Sequence, residues 1–215
     1  LLAILYIDYE TSFDTFHQNS EQKYRLGREF RSQDYSVFSF DGYYGAPREA
    51  QLKQINGVEN IQGVELACHF YTFGLPELVT ANAKELPVEN LLETNTPRRF
   101  FEFFNWQFIQ GNIDEFSRQL NTVVLTESEA ERYFGKDWAK NDIIGKNLQY
   151  NDNDFVITGI IKNIPSTSHY DFSMAMNVKK INYWGSRSYI KIAKNENPQD
   201  IAKRIDANMD KINTR

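Results

Sequence analysis

Cysteine is nearly absent. Cys68 is the only one in 215 residues, so no internal disulfide can form and the redox state of the compartment stays open. An excess of positive charge is absent too. Lys and Arg number 24 against 29 Asp and Glu, a net charge of −5. That balance disfavours nucleic-acid binding, which needs a basic face to displace counterions. Long hydrophobic runs are missing: a membrane span takes about 20 apolar residues, and the run Leu1 to Ile7 is far shorter. It also lacks the basic flank and small-residue cleavage site of a signal peptide. Internal repeats and low-complexity tracts are lacking as well.

What is present is globular. Apolar residues make up 41% and charged residues 25%, ordinary usage for a chain that builds a core. At roughly 150 residues per domain, 215 residues make one large domain or two small lobes. Aromatics at 14% favour sheet faces, where rings pack well. The first residue is Leu rather than Met, which predicts a piece of something longer. Leu1 to Ile7 then reads either as the last turns of a membrane helix or as a buried first element.

Periodicity supplies the elements. Asn19 offers a cap for a short turn through Lys23, and Tyr24, Leu26, Arg28 and Phe30 alternate as a strand does. Ser32 to Gly45 reads as a loop. Pro47 suits a first helical position, Leu52 and Ile55 give an apolar stripe, and Gly57 suits the residue after a helix end. In the next strand Val64, Leu66, Cys68 and Phe70 face one way, and Glu65, His69 and Tyr71 the other. Leu78–Ala81 and Leu86–Leu92 flank Asn82-Ala-Lys84 as a hairpin. Phe100, Phe103 and Phe104 fit a helical turn; Phe104, Trp106 and Phe108 then alternate.

Thr122 to Leu125 reads as a short buried strand running into Thr126-Glu-Ser-Glu129, a capping box. Ala130, Tyr133 and Phe134 form that helix's inner stripe, and Gly135 ends it. Leu148 and Tyr150 lead through the turn Asn151-Asp-Asn-Asp154 into Phe155–Ile161, a strand buried on both faces. Tyr189 to Ala193 is a further strand. Pro198 then opens a last helix whose inner face carries Ile201, Ile205, Met209 and Ile212. Strands and helices mix without regular alternation, so the class is α+β.

Chemistry is sparse. His17, His69 and His169 lie far apart with no metal-type partner at i+4. Cys68 sits on an apolar strand face, where a thiolate is disfavoured. Asn151-Asp-Asn-Asp154 lacks the Gly and Glu a calcium loop needs at its sixth and twelfth positions, which are Val156 and Lys162. Gly42-Tyr-Tyr-Gly45 lacks the spacing and the Lys-Ser/Thr of a phosphate loop. Ser128 sits in a capping box rather than on a nucleophile elbow. The Phe100–Phe108 cluster reads as core before it reads as a binding patch. No catalytic, cofactor-binding or metal-ligating residue is nominated.

Four ordered segments together resemble one family. They are Tyr9-Glu-Thr-Ser-Phe-Asp-Thr-Phe-His17 with Tyr24-Arg25; Phe100-Phe-Glu-Phe-Phe104 leading to Gly111; Val123 to Gly135 with Ile144-Gly-Lys146; and Phe155 to Pro165, ending in Ser168-His169. In that order the chain resembles the MacB-like periplasmic core domain of FtsX-like ABC transporter permeases. The resemblance implies a two-lobed fold. A porter-like α/β lobe is expected from 8–72 and 165–215, an inserted β-rich (Sabre-like) lobe from 73–164, and the tail of a preceding membrane helix from 1–7. It implies a non-catalytic domain on the periplasmic side of the inner membrane, without cofactor, which transmits ATP-driven motion for export or extraction of a substrate. The implied partners are a cytoplasmic ABC ATPase, a second permease copy and an envelope protein. The tyrosine-rich loop around Tyr43-Tyr44 departs from the family pattern. A secreted or lipid-anchored binding module for small molecules or peptides is the alternative. A hydrolase with a spatially assembled site is a third reading, with no supporting motif.

Overall fold

The structure, a computed structural model, describes residues 19–26, 28–31, 36–39, 55–168, 170–181 and 186–214. The expectations on Leu1–Ile7, Pro47 and Leu52 lie outside the described residues, as do those on the side chains of Met209 and Ile212. Strands and helices mix irregularly, so the class is α+β. The chain divides into two compact units. One contains Thr72–Glu93 and Phe104–Val178; the other contains Glu21–Tyr71, Thr94–Phe103 and Lys179–Arg215.

The second unit has a sheet ordered β1 (Lys23–Arg25), β13 (Arg187–Ile192), β4 (Val64–Thr72). Both pairings are antiparallel. Asn19 has φ +55°, so it is a left-handed turn residue rather than an extended N-cap; a single 3₁₀ turn, Ser20–Gln22, follows it. The alternation expected from Tyr24 to Phe30 is split into β1 and a separate hairpin, β2 (Arg28–Arg31) with β3 (Ser36–Ser39). The stretch read as a loop therefore contains a strand.

β4 departs from strict alternation for an identifiable reason. Lys191 pairs with Leu66 and Ile192 with Val64, which leaves Glu65 as an extra residue, a β-bulge. The bulge turns Val64 onto the face of Ala67. There it packs with Ile55, Val58, Ile190, Ile192, Ile201 and Ile205. The opposite face carries rings: Phe70 stacks on Tyr189 at 5.7 Å and meets Phe100 edge-on at 5.1 Å.

Helical residues 55–59 run through Gly57, which is interior rather than a terminus. Burial of Ile55 and Val58 holds the turn together across the glycine, and the chain reverses later, at Gly63 (φ +93°). α1 (Pro97–Phe104) is tied to this turn by Arg99, which donates to Asn56 Oδ1 (2.6 Å) and pairs with Glu59 (2.6 Å). The last helix, here α4 (Pro198–Thr214), buries Ile201 and Ile205. Arg204 ties it to the Gln62 carbonyl at 2.8 Å.

The first unit has a mixed sheet ordered β7 (Leu91–Thr94), β12 (Met174–Asn177), β9 (Thr122–Thr126), β11 (Asn153–Ile161), β10 (Asn147–Tyr150), β5 (Glu77–Ala81), β6 (Lys84–Val88). β8 (Phe108–Gly111) adds to β11. β9 is buried at every position, parallel to β11 and antiparallel to β12. The stretch Leu86–Leu92 is two strands rather than one. Asn90, at φ +54°, breaks it between β6 and β7. Asn105, at φ +57°, likewise separates α1 from β8. α2 (Ile113–Arg118) begins at Asn112, whose Oδ1 accepts from the Glu115 N–H at 3.0 Å.

β9 runs directly into α3 (Glu127–Phe134), and Thr126 Oγ1 accepts from the Glu129 N–H at 3.4 Å. Only half of the expected capping box forms. Thr126 still belongs to the sheet, and its N–H donates to the Ser173 carbonyl. Glu129 therefore has no capping N–H to reach and turns to Arg132 at 2.5 Å.

Candidate functional site

Two of the residues singled out in the sequence, Cys68 and His69, lie side by side on β4. Cys68 is fully buried, between sheet neighbours and the ring face. Burial pushes its thiol well above the ordinary range, against the weaker pull of Lys23 and Arg99. A thiol so placed carries no thiolate and cannot act as a nucleophile.

His69 is 4% exposed. Three hydroxyls surround it. Its backbone N–H donates to Thr96 Oγ1 (2.9 Å), and its carbonyl accepts from Thr94 Oγ1 (2.9 Å) and Thr96 Oγ1 (3.1 Å). These two threonines satisfy its main chain as a neighbouring strand would. On the side chain, Nδ1 lies 2.8 Å from Ser188 Oγ, directly across the β4–β13 register. Nε2 is buried, and among the described residues it has no hydrogen-bond partner. Burial pushes the imidazole down to about 4, opposed by a hydrogen bond involving the Arg187 backbone, so the ring is neutral at pH 7.

A histidine against a serine hydroxyl has the composition of a nucleophile–base pair. A catalytic arrangement also needs a third group that orients the base, and among the described residues Nε2 has none. The contact works as a cross-strand clamp. It holds β13 to β4 on the face that α4 covers further along.

His17 and His169 lie outside the described residues, as does the Gly42–Gly45 segment with Tyr43 and Tyr44. Among the described residues no group of three or more His, Cys, Asp or Glu side chains could hold a metal ion. Ser128 Oγ bonds Thr126 Oγ1 at 3.1 Å, and its N–H donates to Asn163 Oδ1 at 2.9 Å. Asn151 and Asp152, at φ +47° and +60°, form the left-handed turn joining β10 to β11. Phe100, Phe101, Phe103, Phe104 and Trp106 are all buried, which makes them core. Phe100 and Phe103 serve the second unit's rings, whereas Phe104 stacks on Trp106 at 5.9 Å in the first.

Sequence reading missed two features. The His69–Ser188 contact joins residues far apart in the chain, and only the strand register brings them together. The β5–β6 hairpin and the connection leading into it also expose two large apolar side chains, Leu78 at 60% and Leu75 at 76%. Leu78 had a local signal, because it alternates with the buried Val79.

Comparison with known proteins bears on the whole chain. The sequence model described as the MacB-like periplasmic core domain matches residues 5–208. No curated protein matches the chain. Among solved structures, it is similar to a domain of a protein described as a permease from Porphyromonas gingivalis. That match has 18% identity and a TM-score of 0.66, and covers 87% of this chain and 79% of the other. It is also similar to the periplasmic region of MacB from Actinobacillus actinomycetemcomitans, at 14% identity and TM-score 0.59, covering 82% and 83%. A third is the extracellular domain of the noncanonic ABC-type transporter YknZ from Gram-positive bacteria, at 13% identity and TM-score 0.51, covering 71% and 76%.

Proposed function

The chain belongs to the MacB-like periplasmic core domain family, and from that premise we propose that it is a non-catalytic transmission element of an ABC transporter permease. In this reading a cytoplasmic ATPase drives the membrane part. The domain carries the resulting motion outside the membrane, for export or extraction of a substrate. The permease works as a dimer and meets an envelope protein. The domain itself lies on the periplasmic side of the inner membrane.

The observation that carries the reading is the family match along almost the entire chain. Its polar clusters are consistent with a mechanical role: His69, Ser188, Arg99 and Arg204 hold secondary structure elements to one another within one unit. Among the described residues no helix is long and apolar enough to cross a membrane. Anchoring would come from 1–7 and from segments flanking the domain. For the lobes we propose a porter-like part from 8–72 and 165–215 and an inserted part from 73–164. Pairing of β1 with β13 supports a lobe made from both ends, and 94–103 groups with those ends.

The test uses the full-length protein. Leu75→Cys, at an exposed position, should react with a membrane-impermeant maleimide in spheroplasts, and the protein should co-purify from membranes with an ATPase subunit. ATP should change the distance between spin labels at Lys140 and Glu65, exposed positions in the two units. A protein released from the membrane without an ATPase would favour the binding-module alternative. Labelling only after lysis would overturn the assigned side of the membrane.

A further inference from the structure

We propose that the outward face of the β5–β6 hairpin is a docking surface for a polypeptide segment of another protein that carries basic residues around an apolar anchor. Leu78 pairs directly with Pro87, and Thr80 with Glu85, so these four side chains share one face. Leu78, Pro87 and Glu85 are exposed on it. Leu75 precedes them in an open connection, where even a Cβ added at Gly74 would meet nothing within 4 Å.

Charge defines the occupant. Glu85 and Glu89 lie on either side of Pro87 in sequence, both are exposed, and neither forms an ion pair among the described residues. The nearby cations are committed elsewhere. Lys84 Nζ donates to the Arg132 carbonyl at 2.8 Å, and Arg132 binds the Pro87 carbonyl at 2.8 Å and Glu129 at 2.5 Å. An apolar pair with Glu85 on its own face and Glu89 just beyond the end of β6, neither carboxylate in an ion pair among the described residues, is complementary to a basic segment with an apolar anchor. The same carboxylates repel an anionic lipid surface.

The hairpin is also preorganised, which lowers the entropy lost on binding. Asn82 Nδ2 and Lys84 Nζ grip the Tyr133 and Arg132 carbonyls, and the Tyr133 hydroxyl donates to the Val79 carbonyl. Recognition uses the face rather than the edge of β6. Pro87 has no N–H to offer an added strand, and its carbonyl already accepts from Arg132.

This inference rests on the permease reading only for where a partner comes from. The test reads the face itself, so its failure leaves the family assignment intact. The ¹⁵N-labelled chain is titrated with a synthetic peptide of alternating lysine and leucine, and with its glutamate–leucine counterpart. The lysine peptide should give saturable shifts confined to 74–80 and 84–90, lost at about 0.5 M salt, where screening is strong. Leu78→Ser and the double variant Glu85→Gln, Glu89→Gln should each weaken binding about tenfold while leaving the circular dichroism unchanged. Shifts spread over other acidic surfaces, or equal binding by the variants, would overturn the proposal. Self-association abolished by Leu78→Ser would overturn it in favour of a second copy. Leu78-dependent binding to phosphatidylglycerol vesicles would overturn it in favour of lipid.

Discussion

Gly111 and Gly159 face each other across the β8–β11 pairing, with Gly111 at φ +70°. A Cβ on Gly111 would lie 2.0 Å from the Thr158 carbonyl oxygen, and one on Gly159 would lie 2.5 Å from the Phe108 ring. The two backbones approach as closely as they do because neither residue has a side chain. Gly111→Ala meets rigid backbone and a left-handed φ together, so it should cost about 3 kcal/mol or more. Gly159→Ala meets a ring that can shift, and should cost about 1–3 kcal/mol. Urea denaturation of the two variants checks the order.

The β5–β6 turn places Asn82 and Ala83 at φ +50° and +56°, the geometry of a type I′ turn. Asn is at home there; Ala is strained. Ala83→Gly should raise stability by about 1 kcal/mol, seen as a higher denaturation midpoint with an unchanged slope.

At the start of α3, Thr126→Ala removes the acceptor for the Glu129 N–H and should cost about 1 kcal/mol. Arg132→Ala should cost more, about 2 kcal/mol, because it leaves the buried Glu129 carboxylate without its ion pair. The partial exposure of Arg132, 40%, keeps the figure below that of a fully buried pair. If Thr126→Ala proved costlier than Arg132→Ala, the half-box geometry would be wrong.

His69 sets a pH dependence. Its folded-state value is held down at about 4 against an ordinary 6.5, so over that window the unfolded chain binds the proton and the folded one does not. Stability falls as pH drops from about 6.5 toward 4, by up to about 3 kcal/mol, and levels off below. His69→Gln should remove this part of the slope. Denaturation midpoints at pH 7, 5.5 and 4.5, wild type against variant, give the measurement.

Cys68 should react with a thiol reagent only as fast as the second unit opens. Native labelling at neutral pH should be slow and become rapid in denaturant. Fast labelling without denaturant would place the thiol outside the core.

Much of this fold was legible where the signal is local. Thr126 before Glu129, Pro198 at the start of α4, and the turns at Asn82 and Asn151 each announce themselves within a few residues. The family likeness was legible too, from the order of several weak segments. What stayed hidden depends on distant partners. The bulge at Glu65 exists because Lys191 and Ile192 step past it. β12, Met-Ala-Met-Asn, has no alternation to read because it is buried at all four positions between strands remote in sequence. The polar surroundings of His69 were invisible for the same reason, since Thr96 and Ser188 reach it only through tertiary contacts.

The antiparallel pairing of β1 with β13 has a consequence for the order of folding. Lys23 finds its partner in Lys191, and Gln22 donates to the Ile192 carbonyl 170 residues away. A chain emerging from its N-terminus exposes β1 and β4 with no neighbour between them until the last strand arrives. The first unit holds its strands between residues 77 and 177 and can close earlier, since loop closure delays the more distant contacts. The unit that holds β1, β4 and β13 should therefore close last, and the interval before β13 docks is when its open edges are most exposed to wrong pairing.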